Sequence, residues 1–171
     1  VRIKRLFGDA ASSLRLGRFD FSDGAEVAPA DATLAVLKRD HIAQRLLGGF
    51  GFSHIGRGFD GAEYVRNSKS RNLTLVAARP TEGVFQLRSR DELDVDFYYA
   101  AFTQQFAGKA AKSEARAFLL HYHDGRRTLK TDNRPQAVRA ADLRNIRLTT
   151  VGGHSLFVYG SGARKTDLLL W

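Results

Sequence analysis

"LDVDFYYAAFT", residues 93–103, decides how the chain is read, because apolar and polar side chains alternate along it with a period of two. Leu93, Val95, Phe97, Tyr99 and Ala101 project to one side of an extended strand, and Asp94, Asp96 and Tyr98 to the other. The alternation recurs at 1–6, 13–21, 57–67, 71–79, 92–104, 113–123, 143–151, 154–160 and 165–171, which predicts a run of strands. Most are longer than the roughly five or six residues usual in globular sheets. They approach the roughly 9–11 residues that a tilted strand needs to cross a bilayer. Turn chemistry separates them: "DG" at 23–24 and 124–125, "RPTEG" at 79–83 and "TDNRP" at 131–135 suit antiparallel neighbours.

One stretch breaks the pattern. In "DATLAVLKRDHIAQRLLGG" (31–49), Asp31 suits an N-cap, Leu34, Leu37, Ile42 and Leu46 recur near helical spacing, and Gly48–Gly49 supplies a stop. The expectation is one short amphipathic helix, near 31–48, inside a long strand-to-strand connection. No internal repeat or low-complexity linker divides the 171 residues, so 1–171 reads as a single domain. The fold class expected is all-β: an antiparallel sheet forming part of a transmembrane β-barrel, with long strands.

Composition narrows the chemistry. The chain has no cysteine, which excludes disulfides, thiolate metal sites and cysteine nucleophiles. Its apolar runs fall far short of the roughly 20 residues of a membrane-spanning helix. The net charge of +9 rests on 20 Arg and only 7 Lys. Arginine presents a planar, permanently charged fork matched to carboxylate or phosphate, so the excess points to a polyanionic partner.

The remaining motifs carry less. "GRGFDG" (56–61) satisfies G-x-G-x-x-G, but "AEYVRN" follows as a strand rather than the helix a dinucleotide needs. His121 and His123 share a strand face without a third ligand legible in the sequence. Asp94 and Asp96 share a face as a glycosidase pair would, and as two wet-face carboxylates would. No nucleophile triad stands out. The expectation is a protein that is not an enzyme and uses no cofactor or metal.

Several ordered stretches resemble a known family: "LRLGRFDFSDGAE" (14–26), "RDHIAQRLLGGFGFSHIGRGFDGAEY" (39–64), "ARPTEGVFQ" (78–86), "ELDVDFYYAAFT" (92–103), "YHDGR" (122–126) and "KTDNRP" (130–135). Together they resemble the alginate-export family of bacterial outer-membrane β-barrels. The resemblance implies a monomeric, porin-like barrel in the outer membrane, of which this chain is a stretch, passing an anionic polysaccharide or small acidic solute through an arginine-lined pore. Its partners would be outer-membrane lipid and that solute, and not nucleic acid.

Strand parity and motif position nominate pore-lining residues: Arg15, Arg18, Arg57, Asp60, Arg79, Asp94, Asp96, Arg116, Arg144 and Arg147. Phe97 is expected to face lipid and Tyr98 the lumen. A bulge at Gly17 would change the relation of Arg15 to Arg18. The alternative is a soluble all-β module that binds acidic glycan or nucleic acid through basic strands and aromatics such as Tyr98 and Tyr99.

Overall fold

The alternation is realised as one antiparallel sheet of eight strands in a computed structural model that describes residues 1–29, 31–48, 58–82, 91–108, 111–126, 133–161 and 164–170. The strands are β1 (Arg2–Lys4), β2 (Ser12–Phe19), β3 (Phe59–Asn67), β4 (Arg71–Pro80), β5 (Val95–Ala107), β6 (Ala111–Asp124), β7 (Ile146–Ser161) and β8 (Arg164–Leu170). Each pairs with its neighbour in sequence, in the order β1 to β8. The sheet is open: among the described residues no pairing joins β8 to β1.

Two elements differ from the sequence reading. The stretches 143–151 and 154–160 are not separate strands but one, because Gly152–Gly153 continues β7 instead of interrupting it. Gly152 stands opposite Phe118, and a Cβ there would lie 2.6 Å from the Phe118 ring, so the glycine makes room for the aromatic. A second short helix, α2 (Gln136–Ala141), follows Pro135, where only a turn is expected. Proline at a helix start fixes φ and lacks only an N–H that the first turn leaves unpaired anyway.

The expected helix forms as α1 (Ala32–Leu37), continued by a π-helical turn over Lys38–Ile42. Asp31 caps it, accepting from the backbone N–H of Thr33 at 3.0 Å and Leu34 at 3.2 Å. The helix ends at Ile42, before Gly48. No helix among the described residues is long and apolar enough to cross a membrane.

The connection that carries α1 packs on one face of the sheet and builds the core there. Phe19, Phe21, Phe59, Val76, Ala78, Phe97, Tyr99, Ala101, Phe118 and Leu120 form one cluster, with Leu47 against it. Leu34 of α1 joins Leu156 and Val158 of β7 in a second. Asp23 holds the connection together: its Oδ1 accepts from the N–H of Leu46 at 3.0 Å and Leu47 at 2.6 Å. Burial pushes the Asp23 carboxyl above its ordinary range, against the pull of those two N–H groups.

This packing answers the question of the two faces and corrects one expectation. Phe97 is 1% exposed beneath the connection, whereas Tyr98 is 55% exposed on the opposite face. Parity of polarity misassigned them because the chain's own connection, with Phe21 and Leu47, covers the Phe97 side. Gly17 has φ +99° but inserts no extra residue: Leu16, Gly17 and Arg18 pair in unbroken register with Ala62, Gly61 and Asp60. Arg15 and Arg18 therefore lie on opposite faces.

Candidate functional site

The covered face buries charge in pairs. Arg116 of β6, with no side-chain exposure, meets Glu26 of the connection at 2.9 Å. Tyr99 donates its hydroxyl to the same Glu26 carboxylate. The Arg116 guanidinium also stands 4.9 Å over the Phe118 ring, a cation–π geometry. One register step along, Glu114 of β6 pairs with Lys38 of the π-helical turn at 2.7 Å and lies 3.4 Å from His154, while Gln105 donates to it at 3.0 Å. At the end of β6, Lys112 donates to Asp31 at 2.8 Å. That ammonium, first, and the helix-start N–H groups hold the Asp31 carboxyl below its usual range.

Beside this network a cavity of about 430 Å³ opens on the covered face over β1 to β3. Arg2, Lys4, Arg5 and Arg15 line it, against the carboxylates of Glu26 and Glu63. Arg2 and Arg15 are register partners, and Arg15 meets Glu63 at 2.8 Å. Four cations facing two carboxylates leave the cavity electropositive, and paired guanidinium forks are the geometry that seizes a carboxylate at two points.

The opposite face is open and mostly apolar. Residues directly paired across the sheet share a face, so Ile3, Leu14, Tyr64, Leu75, Ala100, Leu119 and Val151 form one transverse row. Val151 is 76% exposed, and Leu75, Phe102, Phe106, Leu119, Leu168 and Leu170 on the same face are all exposed. Charge is confined to the ends of the strands. At one end runs a second row, Arg18–Asp60–Arg79–Asp96–His123–Arg147, from β2 to β7. Its links are Arg18 Nε to Asp60 at 2.9 Å, Arg79 Nε to Asp96 at 2.6 Å and His123 to Asp96 at 3.9 Å.

The ten sequence candidates thus do not share one face. Arg15 and Arg116 lie on the covered face; Arg18, Asp60, Arg79, Asp96 and Arg147 lie in the open-face row. Asp94 is exposed just before β5, its carbonyl accepting from Gly125 at 2.9 Å. Arg144 is exposed in the connection after α2 and pairs with Asp142, whose carboxyl Arg144 and Arg134 hold well below the ordinary range. Arg57 falls outside the described residues.

His121 and His123 both stand on the open face, His121 bonded to Thr149 at 2.9 Å, and no group of three metal-binding side chains occurs among the described residues. Sequence reasoning missed Glu26, Lys38, Glu114 and His154. Glu114 was legible, sharing the parity of Arg116 two residues on, whereas Glu26 and Lys38 meet the sheet only through folding of the connection. Compared with models of known families, with curated proteins and with solved structures, the chain finds no match.

Proposed function

We propose that the chain is a stretch of an outer-membrane β-barrel that passes an anionic polysaccharide or small acidic solute, with the covered face toward the lumen. The observation that carries this reading is the apolar open face. A soluble single-layer sheet exposing so continuous an apolar surface would associate through it, whereas in a barrel such a face meets lipid. Aromatic residues bracket the band: Tyr98 stands 6.4 Å from the His121 ring near one end, and Phe157 stacks on Tyr159 near the other, two strands over from Phe106. From Tyr98 to Phe106 along β5, at about 3.4 Å per residue, the strand covers about 27 Å. At a tilt near 40° this is roughly 20 Å of bilayer, against the band of about 25 Å usual in such barrels.

The alternation of connections supports the same reading. The strand ends joined by the short connections 5–11, 68–70, 108–110 and 162–163 lie at one end of the sheet, and those joined by the long connections 20–58, 81–94 and 125–145 lie at the other. Outer-membrane barrels have short periplasmic turns and long outer loops. The cavity of Arg2, Arg15 and their neighbours is the candidate site for a carboxylated solute, with the α1 connection narrowing the lumen beside it.

The test is conductance of the complete barrel in planar bilayers. Anion selectivity is expected, falling as salt rises because the Debye length shrinks from about 10 Å at 0.1 M to about 3 Å at 1 M. Arg15→Glu should move the reversal potential toward cation preference, while Lys69→Ala, in the turn between β3 and β4, should not. Cation selectivity in the unmodified channel would overturn the anion reading.

A further inference from the structure

The cavity over β1 to β3 holds two kinds of charge, and only one kind is free to meet a ligand. Arg15 is occupied three ways: it pairs with Glu63 at 2.8 Å, donates to the carbonyl of Asp20 at 3.1 Å and stands 4.6 Å over the Phe19 ring. Glu26 turns its carboxylate to Arg116 at 2.9 Å and to the Tyr99 hydroxyl, leaving 2% of its side chain exposed. Asp9 in the adjoining turn is taken by Arg66 at 2.6 Å. Beyond Glu26 and Glu63, no acidic residue lines the cavity among the described residues. Arg2, Lys4 and Arg5 are exposed there, and their charged groups have no hydrogen bond or ion pair among the described residues. With each lining carboxylate set against its partner, these three carry the remaining positive charge.

We propose that the cavity binds a compact dicarboxylate of four or five carbons, with Arg2 taking one carboxylate and Lys4 with Arg5 the other. The proposal rests on the lumen reading above and names the solute class for that site. Spacing chooses two separated charges over one. Arg2 and Lys4 are two residues apart on the same face of β1, about 7 Å at roughly 3.4 Å per residue, and the floor beside Lys4 is neutral, made of its register partner Ser13 and, one strand on, Val65. Val65 offers an apolar contact to the methylenes between the carboxylates, and the Ser13 hydroxyl a hydrogen bond at the Lys4 end. Arg2 presents a fork that grips a carboxylate at two points, while the lysine ammonium is a point charge that accepts either oxygen. A phosphate puts its charge at one place and leaves one station empty; a monocarboxylate does the same with less charge. The cavity, at about 430 Å³, is of the size that holds one small molecule, within the roughly 300–1,000 Å³ of such sites.

The experiment uses the complete barrel in detergent micelles and measures binding of glutarate, butyrate, inorganic phosphate and a uronate tetramer at an ionic strength of about 0.01 M, where the Debye length is about 30 Å. Glutarate should bind about tenfold tighter than butyrate or phosphate, since a second charge-assisted contact contributes on the order of a tenfold factor, and tighter than the tetramer. Lys4→Gln should remove the preference for glutarate over butyrate, and Arg2→Gln should remove it from the other end. Both side chains are exposed and unpaired, so the variants keep the fold. Arg66→Gln, whose partner is Asp9, should leave the preference intact. Equal binding of glutarate and butyrate overturns the proposal, as does tighter binding of phosphate or of the tetramer, or an equal loss from Lys4→Gln and Arg66→Gln. Anion selectivity in planar bilayers without a preference for glutarate overturns the dicarboxylate site and leaves the channel reading standing; cation selectivity overturns both.

Discussion

The two faces of this sheet differ in where they keep charge. The covered face buries Arg116, Glu114 and Lys38 at its middle, each matched by a partner that the connection or a neighbouring strand supplies. The open face keeps its arginines and aspartates in a row at the strand ends, with Arg18 exposed and Asp60, Arg79 and Asp96 half-buried. A buried charge survives only when paired and hydrogen-bonded, so charge at the centre of a face marks a face that another segment covers. Charge at the margins of an apolar face leaves the middle of that face uncovered by the described chain, the arrangement that the proposed barrel would set against lipid.

The comparison can be broken most directly at the buried pairs. Glu114→Ala leaves Lys38 in a site without another described carboxylate partner and should cost about 3–5 kcal/mol in a denaturant titration. Glu26→Ala should do the same to Arg116. A loss under about 1 kcal/mol in both would mean that the connection does not seat on this face as described.

The open face is tested next. Phe102→Arg, near the middle of the apolar band, should cost about 2–4 kcal/mol for the chain folded in a bilayer, because a cation is then placed close to the midplane. If the face meets water instead, the same substitution is close to neutral. Phe97→Ala serves as the reference from the covered side, with a cavity cost of about 3–5 kcal/mol in either medium.

Acid should loosen the covered face at one identifiable place. The Asp31 carboxyl is held below its ordinary value, so its contribution is complete above that value, about 3.9, and is lost as the pH falls through the lowered one. Hydrogen exchange of α1 should therefore accelerate below about pH 4, and Asp31→Asn should flatten that dependence. Asp23 works in the opposite sense. Its raised value means that the folded chain binds the proton more readily than the unfolded one, so protonation there partly offsets the acid loss. The smallest effect belongs to the exposed row, where Arg18→Gln should leave stability unresolved from the parent, since exposed ion pairs in water contribute little. A large loss there would show that the row holds the strand ends together.

How much of this was legible in the sequence follows from what each residue's partner is. Asp31 announced a helix start because its partners, the N–H groups of Thr33 and Leu34, lie two and three residues away. Arg18 and Asp60 were nominated from their motifs, and their pairing on one face follows once β2 and β3 are set in register. Gly152–Gly153 misled, because a glycine pair reads as a break unless the Phe118 ring opposite is known.

The sequence by itself determined most of the strands, their antiparallel pairing, the helix in the first long connection and the arginine excess, since periodicity, turn residues and caps act over a few neighbours. Only the tertiary structure decided which face is covered. Period two divides a strand into two sides but carries no information on what packs against either, and that depended on Phe21, Glu26, Asp31, Leu34 and Lys38 returning from a 39-residue connection to meet Tyr99, Lys112, Arg116, Glu114 and Leu156.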